Sequence, residues 1–273
     1  MKLKLLILLC AVCAFSARAD VITLPASKDA SIVKGNPDNS NGGGPCFFSG
    51  TDGNSSPHRA LIAFDLSSIP PGSTITNVQL TLTLAQVAGS GGGGGGMIAH
   101  TATIGLYPLT RNWGEGTVES DAFGIGGTGQ GDTANPGDST WNAAFFQQTL
   151  WNSPGGDHAS SASVSLFMNN NSAGTVYTYP STSQLVTDVQ GWLDHPATNF
   201  GWELINVDET SQRTFFAFFS REWHTFAGGN ASQEPVLQVT FTPPVQVPVP
   251  LSASLGAFVG LTLLCSRALL RRG

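Results

Sequence analysis

Residues 74–87 carry the clearest pattern in the chain: Val78, Leu80, Leu82 and Leu84 alternate with Asn77, Gln79, Thr81 and Thr83. A period of two buries one face of a strand and wets the other. Shorter runs of strand-forming residues recur at 21–24, 30–33, 59–66, 103–109, 163–167, 202–207, 214–220 and 236–241. Clusters of Gly, Pro, Asn and Ser separate them. Short strands spaced by such turns predict an all-β domain over residues 20–242, a jelly-roll-like β-sandwich of roughly ten strands. One segment departs from this pattern: Leu185, Val189 and Trp192 recur at helical spacing within 182–193 and predict a single short helix. Residues 88–96 include six consecutive glycines and read as a flexible hairpin connection, which makes 103–109 the expected partner of 74–87. Residues 111–160 are poor in strand signal and rich in Gly, Asp, Asn and Trp. A stretch this long without strong strands is a candidate functional region.

The two ends read as targeting segments. Lys2 and Lys4 precede an apolar stretch at 5–15, and Ala17-Arg18-Ala19 puts small residues at the two positions a signal peptidase reads. Residues 1–19 are therefore expected to be a signal peptide cleaved before Asp20. At the other end, Pro243-Pro244 and Pro248-Val249-Pro250 make residues 243–250 a stiff extended spacer. Residues 251–266 are apolar or small, and Arg267, Arg271 and Arg272 follow. As a helix this stretch spans about 24 Å, close to the roughly 30 Å hydrocarbon core. Residues 251–273 are thus expected to be a C-terminal transmembrane helix, its arginines on the cytoplasmic side. A plain tail anchor or a core helix is the alternative. The order Pro-x-Pro, short apolar helix, terminal Arg cluster resembles the PEP-CTERM family of bacterial sorting signals, here in the form Val247-Pro248-Val249-Pro250. That resemblance implies recognition by an exosortase-type sorting protease and delivery to the cell surface or an extracellular polymer matrix.

Composition narrows the class further. Charged residues are 11% of the chain, against about 25% in typical globular proteins, which excludes a coiled coil or a Lys/Glu-rich bundle. Aromatics at 9% exclude a disordered chain. All 18 acidic residues lie between Asp20 and Glu234, beside only six bases, so the body carries a net charge of −12. Without a basic run it has nothing to hold a phosphate backbone, and nucleic acid is excluded as a partner. Outside the two end segments Cys46 stands alone, so the body has no internal disulfide and no Cys-based zinc site.

Several segments, in order, resemble the DNRLRE domain family, also described as a carbohydrate-binding module. They are Asp29-Ala30-Ser31-Ile32, residues 59–71 with Gly72-Ser73-Thr74-Ile75, Asn112-Trp113-Gly114-Glu115-Gly116, Ser139-Thr140-Trp141-Asn142 and Trp151-Asn152-Ser153-Pro154-Gly155-Gly156-Asp157. After these come residues 186–192, Asn199-Phe200-Gly201-Trp202, Ser220-Arg221-Glu222 and residues 235–241. The hexapeptide that names the family is absent, and His58, His158 and His224 are departures from its usual loops. The resemblance implies a non-catalytic β-sandwich on secreted or surface proteins, some of which bind polysaccharide.

The residues offer chemistry of their own. Sugar binding needs flat aromatic faces for C–H stacking, with amides, carboxylates or Arg for hydroxyls. Trp113, Trp141 and Trp151 lie in the strand-poor region beside Asn112, Asn142, Asn152 and Glu115, and with Arg221 they form the candidate ligand-binding set. The opposing reading has these indoles covering the core, since Trp is usually highly buried, and Arg221 in a structural ion pair with Asp65 or Glu222. Calcium is the candidate ion. It needs six to eight oxygens, and Asp29, Asp157 and Asp188 are the expected ligands, with Asp38 and Asp208 as further acids to test. No EF-hand spacing is present. Asp157-His158 and Asp194-His195 are weak zinc candidates without a supporting motif. Glu115 and Glu119 are the candidate carboxylate pair for glycoside hydrolysis. They sit in a Gly-rich loop with no rigid support, so no catalytic residue is expected.

Overall fold

The computed structural model describes residues 18–87, 101–119, 129–169 and 172–245. Most of the expected signal peptide and all of the expected C-terminal transmembrane segment lie outside these residues. Among the described residues no helix is long and apolar enough to cross a membrane. Strands and helix follow in the order β1 (Asp20–Val33), β2 (Asn39–Ser40), β3 (Cys46–Thr51), β4 (Pro57–Phe64), β5 (Thr74–Val87), β6 (Ala102–Pro108), β7 (Asp132–Thr133), β8 (Ala143–Phe145), β9 (Thr149–Leu150), β10 (Val164–Met168), β11 (Val176–Tyr179), α1 (Ser183–Asp194), β12 (Trp202–Asn206), β13 (Phe216–Phe219) and β14 (Val236–Thr242). The body is predominantly β, with one α-helix among the described residues, as the periodicity predicts.

The strand ladder runs β1-β14-β5-β13-β3-β4-β12-β6-β10, with β11 added to β5. β1 closes it on itself. Asp20–Pro25 pair antiparallel with β14, and after a register shift between Ala26 and Lys28 the rest of β1 pairs with β4. The two opening runs expected from the sequence are thus halves of one strand. The hairpin expected between residues 74–87 and 103–109 does not form: β6 pairs with β12 and β10. β5 already has β14, β13 and β11 as partners, so its ladder has no room for β6.

Burial explains both the clean and the blurred patterns. The alternating Val78, Leu80, Leu82 and Leu84 of β5 enter the main core with Leu237 and Val239 of β14, Ile104 and Leu106 of β6, and Phe216 and Phe218 of β13. Each such side chain contributes about 1.5–3 kcal/mol when fully buried. β4 shows no alternation in sequence because both of its faces are covered. Ala60, Ile62 and Phe64 enter the main core, while Leu61 and Ala63 enter a second cluster on the other face. α1 begins where the Thr182 hydroxyl accepts the backbone N–H of Leu185 at 3.0 Å, an N-cap bond. Its Leu185, Val189 and Trp192 face the main core.

Candidate functional site

The register shift near Lys28 turns Lys28 and Asp29 toward two other segments, the loop after β6 and the turn after β13. The Asp29 backbone N–H donates to Glu115 Oε1 at 2.7 Å. Asp29 Oδ2 accepts the backbone N–H of Arg221 at 2.8 Å. The Arg221 guanidinium bridges Glu115 Oε2 at 2.9 Å and Glu222 Oε1 at 2.8 Å. Lys28 Nζ donates to Asn112 Oδ1 at 3.0 Å and to the Trp113 carbonyl at 2.7 Å. It also stands 4.1 Å above the Trp113 ring, within reach of a cation–π attraction. Three carboxyl groups and two cations from three distant segments therefore meet in one cluster. The loop fits this closely because Gly116 takes φ +83° and a side chain there would strike Asp138.

The cluster is half open. The Arg221 side chain is 37% exposed, Asp29 is buried, and Glu222 Oε2 is buried without a hydrogen-bond partner. Burial pushes the Glu222 carboxyl up to about 7, the Arg221 charge offsets part of this, and the Glu115 charge adds to it. Burial also holds Asp29 well above its ordinary value, with the Glu222 charge adding and the Arg221 N–H opposing. Glu115 is raised by burial against the Asp29 N–H and Arg221. Burial lowers Lys28 to about 8, against the pull of Glu115. The arrangement presents donors and acceptors side by side.

The other sequence candidates lie elsewhere. Trp113, Trp141 and Trp151 are 1%, 7% and 5% exposed and pack with Ala30, Ile32, Leu61 and Leu109 over the second face of β4. They form a cover, not an exposed stacking platform. The Trp113 indole N–H donates to the Phe200 carbonyl and that of Trp151 to the Thr140 carbonyl, each at 2.9 Å. Asn142 Nδ2 donates to Asp38 Oδ1 at 3.2 Å, and Asn152 Oδ1 accepts from Arg111 Nη2 at 2.9 Å. Of the seven expected ligand-binding residues, the structure brings together Trp113, Glu115 and Arg221. Trp141, Asn142, Trp151 and Asn152 belong to the cover and its loops.

The three expected calcium ligands do not converge. Asp29 belongs to the cluster above. Asp157 accepts the N–H groups of Asn152 and Ser153 and pairs with Arg111 Nε at 2.9 Å. Asp188, on α1, accepts from Ser163 Oγ and from Trp202 Nε1. Among the described residues no group of three His, Cys, Asp or Glu is placed to hold a metal ion.

Sequence reasoning missed Lys28 and left Glu222 as an alternative ion-pair partner. The signal was present, because each adjoins a singled-out residue, Asp29 or Arg221, on a strand or at its end. It also missed a buried carboxyl beneath the Gly155–Gly156 turn. Glu203 has both oxygens buried without a hydrogen bond, and Arg59 Nη1 lies 3.8 Å away. Burial pushes Glu203 up to about 8, Arg59 offsetting only part of the shift. Arg59 itself is held bidentately by Glu209 at 2.8 and 2.7 Å.

No family model matches the chain, and no curated protein matches it.

Proposed function

We propose that this chain is a non-catalytic, exported surface or extracellular-matrix protein whose jelly-roll-like β-sandwich binds polysaccharide through the Lys28–Asp29–Glu115–Arg221–Glu222 cluster. The observation that carries the reading is the Arg221 guanidinium, 37% exposed and set between the Glu115 and Glu222 carboxylates at 2.9 and 2.8 Å. Such a surface offers a sugar's hydroxyls both donors and acceptors. Signal peptidase would release the chain at Asp20, and an exosortase-type protease would process the tail of residues 251–273, in keeping with the resemblance to DNRLRE and PEP-CTERM sequences. Calcium has no part in this reading.

Affinity electrophoresis of the full chain in gels containing neutral or uronate-rich polysaccharide tests it. Wild type is expected to be retarded by at least one polymer, and Arg221→Ala and Glu115→Gln to run free. A wild type that no polymer retards, or retardation that both variants keep, overturns the site.

The burial of the three indoles favours a second reading, a structural or adhesive matrix protein without a specific sugar site. It predicts no retardation by any polymer. Sugar release from the same polymers would instead mark a polysaccharide-active enzyme.

A further inference from the structure

A cavity of about 370 Å³ opens between the end of α1 and the turn that joins β4 to β5. That volume lies in the range of small-ligand pockets, which are mostly apolar with a few placed polar groups. Leu66, Ile69, Pro196 and one side of Trp192 form its apolar walls, and Asp65 and Asn199 line it as well. Trp192 is 8% exposed and is fixed edge-on against Trp202, ring centroids 4.5 Å apart. Four indoles donate to protein acceptors. The Trp192 N–H has no such bond among the described residues. The Asn199 amide is anchored by its Nδ2, which donates to the Phe64 carbonyl at 2.8 Å. Its Oδ1 is buried with no partner. Asp65 holds Ser67 with both oxygens, at 2.9 Å each, and remains exposed at the rim.

We infer that this cavity holds one neutral pyranose residue of the bound polysaccharide, as a subsite separate from the Arg221 cluster. The choice of ligand class rests on the polysaccharide reading above. The chemistry then matches group by group. A pyranose ring has an apolar C–H edge for Trp192, Leu66 and Pro196, and hydroxyl donors for Asp65 at the rim. Its hydroxyl oxygens can accept from the Trp192 N–H. A purely apolar ligand leaves the Trp192 N–H and Asp65 unused, and an anionic one meets the Asp65 carboxylate.

The test is a titration of the full chain carrying 15N-labelled Trp with the methyl pyranosides of glucose, galactose, mannose and N-acetylglucosamine, and with cyclohexanol. The Trp192 indole resonance, assigned with Trp192→Phe, is expected to shift saturably with at least one pyranoside and not with cyclohexanol. Ser67→Phe, placed at an exposed position of the lining turn, is expected to weaken that binding at least tenfold in a chain that still unfolds cooperatively. Arg221→Ala is expected to leave it unchanged. A Trp192 resonance that no pyranoside moves, that responds to cyclohexanol alone, or that keeps its response in Ser67→Phe overturns the subsite. If polymer still retards the chain in that case, the subsite fails and the polysaccharide reading stands. If a pyranoside fills the cavity of a chain that no polymer retards, the polysaccharide reading fails and the pocket stands.

Discussion

Asp29 Oδ2 accepts the backbone N–H of Arg221 at 2.8 Å, between residues 192 positions apart in the chain. The bond ties the middle of β1 to the end of β13. Glu115 closes the triangle, since one of its oxygens takes the Asp29 N–H and the other the Arg221 guanidinium. The buried Asp29 carboxyl takes one backbone N–H, that of Arg221, in place of the solvent that no longer reaches it. The cluster thus holds together two strands and a loop as well as forming a surface.

Removing the guanidinium should be felt as a network effect. Arg221→Ala leaves Glu115 and Glu222 near one another without the cation between them, and should lower the unfolding free energy by about 1–3 kcal/mol at pH 7. Glu115→Gln alone should cost less. In a double-mutant cycle followed by urea unfolding, the two should couple by about 0.5–3 kcal/mol. Additive losses would mean that the bridge carries no stability.

Stability should fall as pH rises from 6.5 to 8. Burial lifts Glu203 from 4.5 to about 8 and Glu222 from 4.5 to about 7. In the unfolded chain both ionise near their ordinary values. Between those limits the folded state holds more protons than the unfolded state, so raising the pH removes stability. His58 works in the opposite sense at lower pH. Its value is lowered from 6.5 by burial, so the folded state holds fewer protons below that point and stability drops as pH falls past it. Lys28, lowered from 10.5 to about 8, returns stability above pH 8. The thermal midpoint should therefore be lower at pH 8 than at pH 6.5. Glu203→Gln should gain on wild type steadily across that interval, and a gap independent of pH would contradict the assignment.

The indole cover should show up in stability and not in affinity. Trp151→Ala empties a buried site and orphans the Thr140 carbonyl that accepts its N–H at 2.9 Å. A loss of about 3–5 kcal/mol is expected. Polymer retardation of the folded fraction should stay within about twofold of wild type, a change of under ~0.5 kcal/mol. Retardation abolished in a stably folded Trp151→Ala would return this indole to the binding surface.

The fold was legible where one face of an element meets solvent and the other meets the core. β5 and α1 declared themselves by periods of two and of 3.6 because each is one-sided. β3 escaped notice because Cys46, Phe47, Phe48, Ser49, Gly50 and Thr51 are all buried, so no alternation survives. The partner of β6 was illegible for another reason: adjacency in sequence favours a hairpin, and only the full ladder reveals that β5 is already paired. At the site, Glu115 and Arg221 were named for their chemistry, yet nothing in their spacing reveals that both reach Asp29. The indoles left both readings open because Trp-Asn pairs in a glycine-rich stretch look alike whether they face a ligand or the outer side of a sheet. Burial decides between those readings, and it depends on contacts far apart in sequence.

Two glycine substitutions should separate steric from conformational roles. A Cβ on Gly42 would lie 1.7 Å from the Glu115 carbonyl oxygen, a backbone atom that cannot swing aside. Gly42→Ala must push the Glu115 loop away from the turn between β2 and β3, and it should lose at least ~2 kcal/mol, in the range of overpacked interiors. Gly191 lies within α1 and has nothing within 4 Å of its added Cβ. There Ala removes backbone freedom from the unfolded chain and suits the helix better, so Gly191→Ala should gain about 0.4–1 kcal/mol. Urea unfolding of both variants reads the two signs directly. A Gly42→Ala protein as stable as wild type would mean that the Glu115 loop does not rest against Gly42, and would remove the support that holds Glu115 against Asp29 and Arg221.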